Sequence, residues 1–171
     1  MVRPELEKVP NFYRGYVRMV PEEKELMPAF IESRDEFLEL VAMIPEKKEA
    51  FSYDEGKWTI KELIQHICDA ERVFSYRALR FGRGDMTDLA GFEQDDYVKN
   101  CHANQRVMSD LVREFTNTRN STIDLYDSFD AKDLNRFGSA SGFRIDVTQL
   151  GYIIVGHQLH HMAVLRSKYL S

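Results

Sequence analysis

Cysteine is scarce in this sequence, which contains only Cys68 and Cys101 among its 171 residues. Two cysteines cannot form a disulfide framework, and these two lack the C-x-x-C spacing of a redox or zinc motif. Long hydrophobic runs are also missing. None approaches the ~20 residues that a membrane helix needs, and the first twenty residues contain no apolar stretch typical of a signal peptide. We therefore expect a cytoplasmic protein with no membrane partner.

The motifs of several large enzyme classes are absent as well. The sequence has no G-x-S-x-G nucleophile elbow, no phosphate-binding glycine loop and no dinucleotide fingerprint. The acidic stretch from Asp85 to Asp96 does not have the spacing of a calcium-binding loop. Lys and Arg number 23 against 28 Asp and Glu, a formal net charge of −5, and the basic residues are dispersed. Proteins that bind nucleic acids gain most of their affinity from basic residues that neutralise the phosphates. Because this chain is acidic and has no basic cluster, nucleic-acid binding is not expected.

The spacing of the apolar residues predicts an all-α protein. Hydrophobic residues make up 43% of the chain and charged residues 30%, which suits one globular domain. Apolar residues recur at three- and four-residue steps with almost no strand-like alternation, which predicts a four-helix bundle over residues 21–171. Residues 1–20 contain Pro4 and Pro10, and they are predicted to form an extended or irregular N-terminal arm whose aromatic residues dock on the core.

Start and stop signals bound four predicted helices. Thr59 and Glu62 form a capping box at the start of the second helix, and Asp146 and Gln149 form a weaker one at the start of the last. Pro28 leaves open a later start for the first helix, with the proline in its first turn. The predicted helices cover four ranges: 23–44, 59–82, 104–128 and 146–169.

Three histidines are candidate metal ligands. His157 and His161 are four residues apart on the apolar stripe of the last helix, so both project from one face and can hold one ion. His66 lies about 60° from the centre of the apolar stripe of the second helix and is available as a third ligand. Three imidazoles on facing helices would leave a coordination position open, as in catalytic zinc sites. On the residues alone, an ordinary hydrogen-bonded role for His66 stays open.

Other polar residues near these histidines have less specific interpretations. His160 is off the apolar row and is placed at the rim of the site, from where it could replace a ligand. His102 is expected in solvent. Asp69 is expected on a solvated helix face with local ion pairs, whereas Glu71 and Arg72 could orient ligands or bind a polar substrate group. Both cysteines are expected to be inert packing residues, because no basic cluster lowers a thiol pKa.

Three blocks of the sequence, taken in order and spacing, resemble the DinB/YfiT-like superfamily. They are WTIKELIQHICDAER at 58–72, LAGFEQD at 89–95 and GHQLHH at 156–161. The likeness extends from about Val20 onward, so the arm lies outside it. The resemblance implies an up-down-down-up four-helix bundle, in which the parallel second and third helices need a long crossover. Residues 83–103, predicted to contain one short helix around Tyr97, are long enough to provide it.

The resemblance also implies a function. It implies a divalent metal ion, with Zn or Ni first among the candidates, held by His66, His157 and His161. Relatives include thiol S-transferases that use low-molecular-weight thiols and proteins described as metal-dependent hydrolases, and homodimers are frequent. The chain would then be an enzyme in which the metal activates a thiol or water toward a small-molecule substrate. The alternative is a stress-related bundle protein that binds metal or a small molecule without turnover.

Overall fold

The computed structural model describes residues 2–171 and contains seven α-helices and one β-hairpin in that range. Strands β1 (Phe137–Ala140) and β2 (Phe143–Asp146) pair antiparallel. None of the helices of residues 2–171 is long and apolar enough to cross a membrane. The helices are α1 (Arg14–Val17), α2 (Leu26–Ala42), α3 (Ile60–Gly82), α4 (Gln94–Asn100), α5 (Met108–Asp127), α6 (Ala131–Leu134) and α7 (Val147–Val164), the last continuing into a π-helical turn, Leu165–Tyr169.

Four of these helices, α2, α3, α5 and α7, form the predicted bundle, and facing contacts establish their directions. Gln65 on α3 donates a hydrogen bond to Glu114 on α5. Further along both helices Ser75 bonds Thr122, so α3 and α5 are parallel. Parallel neighbours require a long connection, and residues 83–107 provide it, with α4 at the predicted place.

α7 is antiparallel to α3 and parallel to α2. Phe74, in the second half of α3, contacts His157 of α7. Trp58, just before α3, accepts a hydrogen bond from Tyr169, just after α7. These directions confirm the up-down-down-up order. The parallel course of α2 and α7 follows from two hydrogen bonds: Tyr152 Oη to the carbonyl of Lys24, and Gln158 Nε2 to the carbonyl of Ser33.

The predicted helix starts are correct where a capping signal exists. Thr59 caps α3 through a complete capping box with Glu62, and Asp146 caps α7 in the same way. α2 begins at Leu26, so that its proline lies in the first turn. The start predicted for the third helix was wrong by four residues. After His102, which has a left-handed φ of 54°, the chain forms a short 3-10 turn. The extended backbone of Arg106 then separates this turn from α5.

The hairpin between α6 and α7 lies in the stretch between the last two predicted helices, for which the sequence predicts no strand. Its turn residues Ser141 and Gly142 have positive φ values of 54° and 77°, as in the two-residue turns that suit the twist of paired strands. Leu89 of the crossover pairs with Ser139 and Ser141 on the other edge of β1. Strands of four residues are too short to give a clear alternation, so the sequence pattern missed them.

The N-terminal arm is more regular than the sequence predicts. It contains 3-10 turns at Leu6–Lys8 and Asn11–Tyr13 followed by α1. Gly156 allows the arm to lie directly on α7, because a Cβ atom there would overlap the backbone carbonyl of Tyr16. The arm is therefore part of the core. Its buried residues, which pack with those of α2, α3 and α7, are Val9, Tyr13, Val17 and Val20.

A buried ion pair connects three of the bundle helices. Arg119 of α5 makes two 2.8 Å hydrogen bonds to the carboxylate of Glu71 on α3, and it also bonds Ser33 of α2. The two charged side chains are only 0% and 2% exposed. A buried charge is tolerated when its partner satisfies it, so this pair holds α3 and α5 in one register.

Replacing Gly156 by Ala should displace the arm. We expect a loss of about 1–3 kcal/mol in the free energy of unfolding, as for overpacked cores, and faster protease cleavage between residues 2 and 20. Gly15→Ala, in α1 and in open space, is the matched control and should be neutral or stabilising by up to about 1 kcal/mol. Equal behaviour of the two variants would show that the arm does not lie on α7.

Removing the acid of the buried pair should be far more damaging than removing a surface acid. Glu71→Ala leaves the guanidinium of Arg119 buried and unpaired, and we expect a loss of about 3–5 kcal/mol in denaturant unfolding. Asp110→Ala removes only the exposed pair with Arg113 and should cost about 0–1 kcal/mol. Similar losses in both variants would contradict the role assigned to the pair.

Candidate metal centre

Three histidine side chains from two helices meet inside the bundle. Nε2 of His157 lies 3.0 Å from Nε2 of His66 and 3.1 Å from Nε2 of His161. Tetrahedral zinc with Zn–N bonds of about 2.0–2.1 Å would separate two ligand nitrogens by about 3.3 Å. The three nitrogens thus lie near the spacing that a shared ion requires. No other group of histidine, cysteine and carboxylate side chains within residues 2–171 has ligand atoms gathered in this way.

The local sequence explains why these rings meet. The capping box at Thr59 starts α3 so that His66 reaches the face that packs on α7. His157 and His161, one helical turn apart, occupy the inner face of α7. The three residues are 3%, 4% and 9% exposed, in chain order. The structure therefore brings together the three residues predicted from the sequence, and their role as metal ligands stays a prediction.

Burial keeps the three imidazoles neutral. Loss of water contact lowers the pKa of His66 to about 4. It lowers the pKa of His161 to about 3, with repulsion from His66 and His160 as a further cause. The pKa of His157 falls well below its ordinary value through burial first and its histidine neighbours second. Because a metal binds neutral imidazole, protons compete for this site only at a lower pH than for ordinary histidines.

Hydrogen bonding among neutral rings does not account for the arrangement. A neutral imidazole has one N–H donor and one acceptor nitrogen, so Nε2 of His157 cannot donate to one neighbour and accept from the other. Nδ1 of His161 is buried without a hydrogen-bond partner in the described part of the chain. If Nδ1 carries the proton, the Nε2 lone pair of His161 is free to bind a cation. Zinc and nickel are ions that this nitrogen donor set fits.

Aromatic rings surround the three imidazoles. The indole of Trp58 lies 4.7 Å from the ring of His66, measured between centroids. The phenol ring of Tyr16, from the arm, meets His157 edge-on at 5.2 Å. These contacts restrict rotation of the imidazoles and keep water away from their buried sides. The sequence predicts that aromatic residues of the arm dock on the core, but it does not predict the contact of Tyr16 with His157, because the arm lies outside the blocks that carry the family resemblance.

A cavity of about 560 Å³ opens beside His66 and His157. We call it the aromatic cavity, because six aromatic rings from the arm, α3, the crossover and the hairpin line it. Two carboxylates from the crossover, Glu93 and Asp95, also line it. The rings are Phe12, Tyr13, Tyr16, Phe74, Phe92 and Phe143.

A second cavity, of about 350 Å³, opens beside His161 on another side of the cluster. We call it the polar cavity, because the residues that line it include Lys57, His160 and Asp95 together with Tyr53. Two separate cavities therefore reach the three histidines from different directions, and Asp95 lines both of them.

The two remaining histidines lie where the sequence places them. His160 is exposed, with its ring 5.5 Å from that of Tyr16, at the rim of the polar cavity. It does not belong to the cluster of converging nitrogens. His102 is exposed at the end of the crossover, beside α5.

Two of the residues considered for substrate binding have structural partners instead. Glu71 is committed to the buried pair with Arg119. Arg72 pairs with Glu114 of α5 and, at 3.3 Å, with Asp69. Asp69 is half-buried rather than fully solvated, and burial is the main cause that raises its pKa. The sequence could not distinguish the pairs with Arg119 and Glu114 from a functional role, because these two partners lie more than forty residues away on α5.

The two cysteines contribute no nucleophile to the site. Cys68 is completely buried, and burial, followed by nearby carboxylates, raises the pKa of its thiol. Cys101 is half-buried, and the pKa of its thiol is also raised, mainly by burial. A raised pKa leaves both sulfurs protonated and unreactive near neutral pH, as predicted.

Comparisons with known proteins agree with this fold. The model of the DinB superfamily matches residues 29–165. YfiT from Bacillus subtilis, described as a probable metal-dependent hydrolase with an unusual four-helix bundle topology, matches with a TM-score of 0.69 at 12% identity, over 94% of this chain and 87% of that chain. YjoA, a DinB-like protein from Bacillus subtilis, matches with a TM-score of 0.60 at 17% identity, over 84% and 87%. No curated protein matches the sequence significantly.

The lowered histidine pKa values predict how acid affects the metal-free protein. The ordinary pKa of histidine is about 6.5. Between this pH and about pH 4, the histidines of the unfolded chain become protonated, whereas the buried histidines of the folded protein stay neutral. The unfolded state then binds more protons, so the free energy of unfolding should fall as the pH falls through this range. Urea unfolding at several pH values measures this change in the free energy of unfolding.

Two variants show whether the cluster causes this pH dependence. His66→Asn removes one buried imidazole and should lose less stability between pH 6.5 and 4 than the wild type. His102→Asn removes an exposed one and should follow the wild type. The assignment is wrong if His66→Asn retains the full wild-type dependence.

Proposed function

Since this chain belongs to the DinB superfamily, we propose that it is an enzyme that depends on one divalent metal ion, zinc or nickel, held by His66, His157 and His161. The observation that carries the proposal is the meeting of three Nε2 atoms in the interior, at 3.0 and 3.1 Å from the central one. YfiT, which shares the fold, is described as a probable metal-dependent hydrolase, and this description supports the same class of chemistry.

The residues of the chain have separate tasks in this proposal. When bound, the ion acts as a Lewis acid and lowers the pKa of the attacking water or thiol. The three imidazoles stay neutral through burial and present their Nε2 lone pairs to one point. Trp58 and Tyr16 hold the rings in place through their contacts. The two cavities let small molecules approach the cluster from two sides.

Within this class we place first the transfer of a low-molecular-weight thiol to an electrophilic small molecule. Two cavities at one metal centre suit a reaction of two substrates. In the polar cavity, Lys57 and His160 can donate hydrogen bonds to carboxylates of an acidic thiol. Hydrolysis is the second candidate, favoured by the description of YfiT. A cytoplasmic location and a homodimeric assembly are proposed from the family resemblance alone.

Metal content tests the first part of the proposal. We expect the untagged wild-type protein to bind one equivalent of zinc or nickel per chain in elemental analysis. His161→Ala should lose most of this metal, because it removes one of three ligands. His160→Ala changes the adjacent histidine outside the cluster and should keep the metal. Equal metal content in both variants, or none in the wild type, contradicts the proposed site.

Turnover tests the second part. The metal-loaded protein is incubated with a panel of electrophiles, with and without a low-molecular-weight thiol, and product formation is followed by mass spectrometry. Thiol transfer predicts product only when the thiol is present, and hydrolysis predicts product without it. His161→Ala should reduce either rate by at least about 100-fold, whereas His102→Ala should not. A metal-loaded protein inactive on every pair would favour the non-catalytic binding protein.

A further inference from the structure

We propose that the aromatic cavity binds a planar aromatic group of the substrate that carries no negative charge, and that it holds this group beside His66 and His157. The inference deepens the proposed function and rests on it for the reaction, but binding of such a group can be measured without turnover. Three observations support it: the aromatic rings that line the cavity, the carboxylates in the lining, and the hydrogen bonds that hold the surrounding segments together.

The walls present ring faces and edges from four different parts of the chain. Phe12 of the arm stacks on Phe143 of the hairpin at 6.2 Å, with 18° between the ring planes. Tyr13 meets Phe143 edge-on at 5.9 Å and Phe74 edge-on at 6.1 Å. An inserted ring can continue these stacked and edge-to-face contacts, which aromatic pairs prefer. A volume of about 560 Å³ is within the range of small-molecule sites.

The charge of the lining disfavours an anion. Glu93 and Asp95 contribute two carboxylates, and no lysine or arginine side chain belongs to the lining in the described part of the chain. The guanidinium of Arg77, which is not part of the lining, lies 5.8 Å from the ring centre of Phe74 and 5.9 Å from that of Phe92. Away from the proposed metal site, an anionic ring would face these carboxylates without a paired cation in the lining, whereas a neutral ring meets no such repulsion.

Hydrogen bonds within the protein hold the frame of the cavity. Arg77, 1% exposed, donates hydrogen bonds to the carbonyl of Ala90 in the crossover and to the hydroxyl of Ser141 in the hairpin turn. Leu89 adds two backbone hydrogen bonds between these segments. A preformed site binds without the entropic cost of ordering loops, so the rings that these segments carry are positioned for a ligand.

The position of the cavity gives the aromatic group a role in the reaction. His66 and His157 form part of its lining, and Tyr16 contacts both the cavity and the ring of His157. A ring seated there would place its substituent next to the converging nitrogens. The arm supplies three of the six rings and lies outside residues 29–165, which the family model matches.

Three probes with the same carbon skeleton separate recognition of a planar ring from general hydrophobicity and from charge. They are naphthylmethanol, its fully saturated decalin analogue and naphthoate, each titrated into the full chain by calorimetry with and without metal. The comparison with naphthoate uses the metal-free protein, in which no bound cation attracts the carboxylate. We expect naphthylmethanol to bind about tenfold more tightly than either of the others. Equal affinity for the ring and its saturated analogue, or a preference for naphthoate, overturns the inference.

Variants locate the binding. Phe92→Leu keeps an apolar wall without the ring and should weaken naphthylmethanol binding about tenfold. Tyr53→Leu removes a ring from the polar cavity and should leave the affinity unchanged. If Phe92→Leu unfolds, as seen by circular dichroism, Phe12→Leu replaces it, because Phe12 is 68% exposed. Loss of affinity in Tyr53→Leu alone would overturn the proposed location.

Metal analysis of the same samples separates the two proposals. A protein that holds no metal but still prefers the aromatic probe contradicts the proposed function and leaves the inference intact. A protein that holds its metal but shows no preference for the ring contradicts the inference alone.

Discussion

Three uncharged imidazoles packed nitrogen to nitrogen in the interior are the constraint around which this structure is built. Burial removes the water molecules that would otherwise form hydrogen bonds with the ring nitrogens. Hydrogen bonds among the three rings cannot replace those bonds for every nitrogen. The antiparallel packing of α3 on α7 forces His66 against His157 and His161. Trp58 and the arm then close over the rings. In the function we propose, a shared cation would satisfy all three lone pairs.

The rest of the fold serves to hold this cluster and to give access to it. Parallel α3 and α5, joined by Glu71 and Arg119, require a long crossover, and that crossover carries Phe92 and Asp95 to the edge of the histidines. The hairpin before α7 pairs with the crossover and brings Phe143 to the same place. The topology of the bundle therefore determines which segments surround the site.

Periodic and local signals could be predicted from the residues themselves. The long-range meeting of His66 with His157 and His161 was predicted with the help of the family resemblance, and other long-range contacts were not predicted. The spacing of His157 and His161 and the capping box at Thr59 involve residues at most four apart, and both lie in the structure as expected. The pairing of Glu71 with Arg119 depends on how α3 and α5 pack, and the docking of Tyr16 against Gly156 depends on how the arm folds back. Neither of these contacts leaves a periodic pattern in the sequence. The aromatic cavity depends both on the packing of the helices and on the docking of the arm.

The coordination of the metal in the intact protein is the most direct test of this account. X-ray absorption spectroscopy of the zinc-loaded full chain reports the number and type of ligands. The account predicts three imidazole nitrogens at about 2.0–2.1 Å, with lighter oxygen or nitrogen atoms at any remaining position. A sulfur ligand at about 2.3 Å, or fewer than three imidazoles, would contradict it.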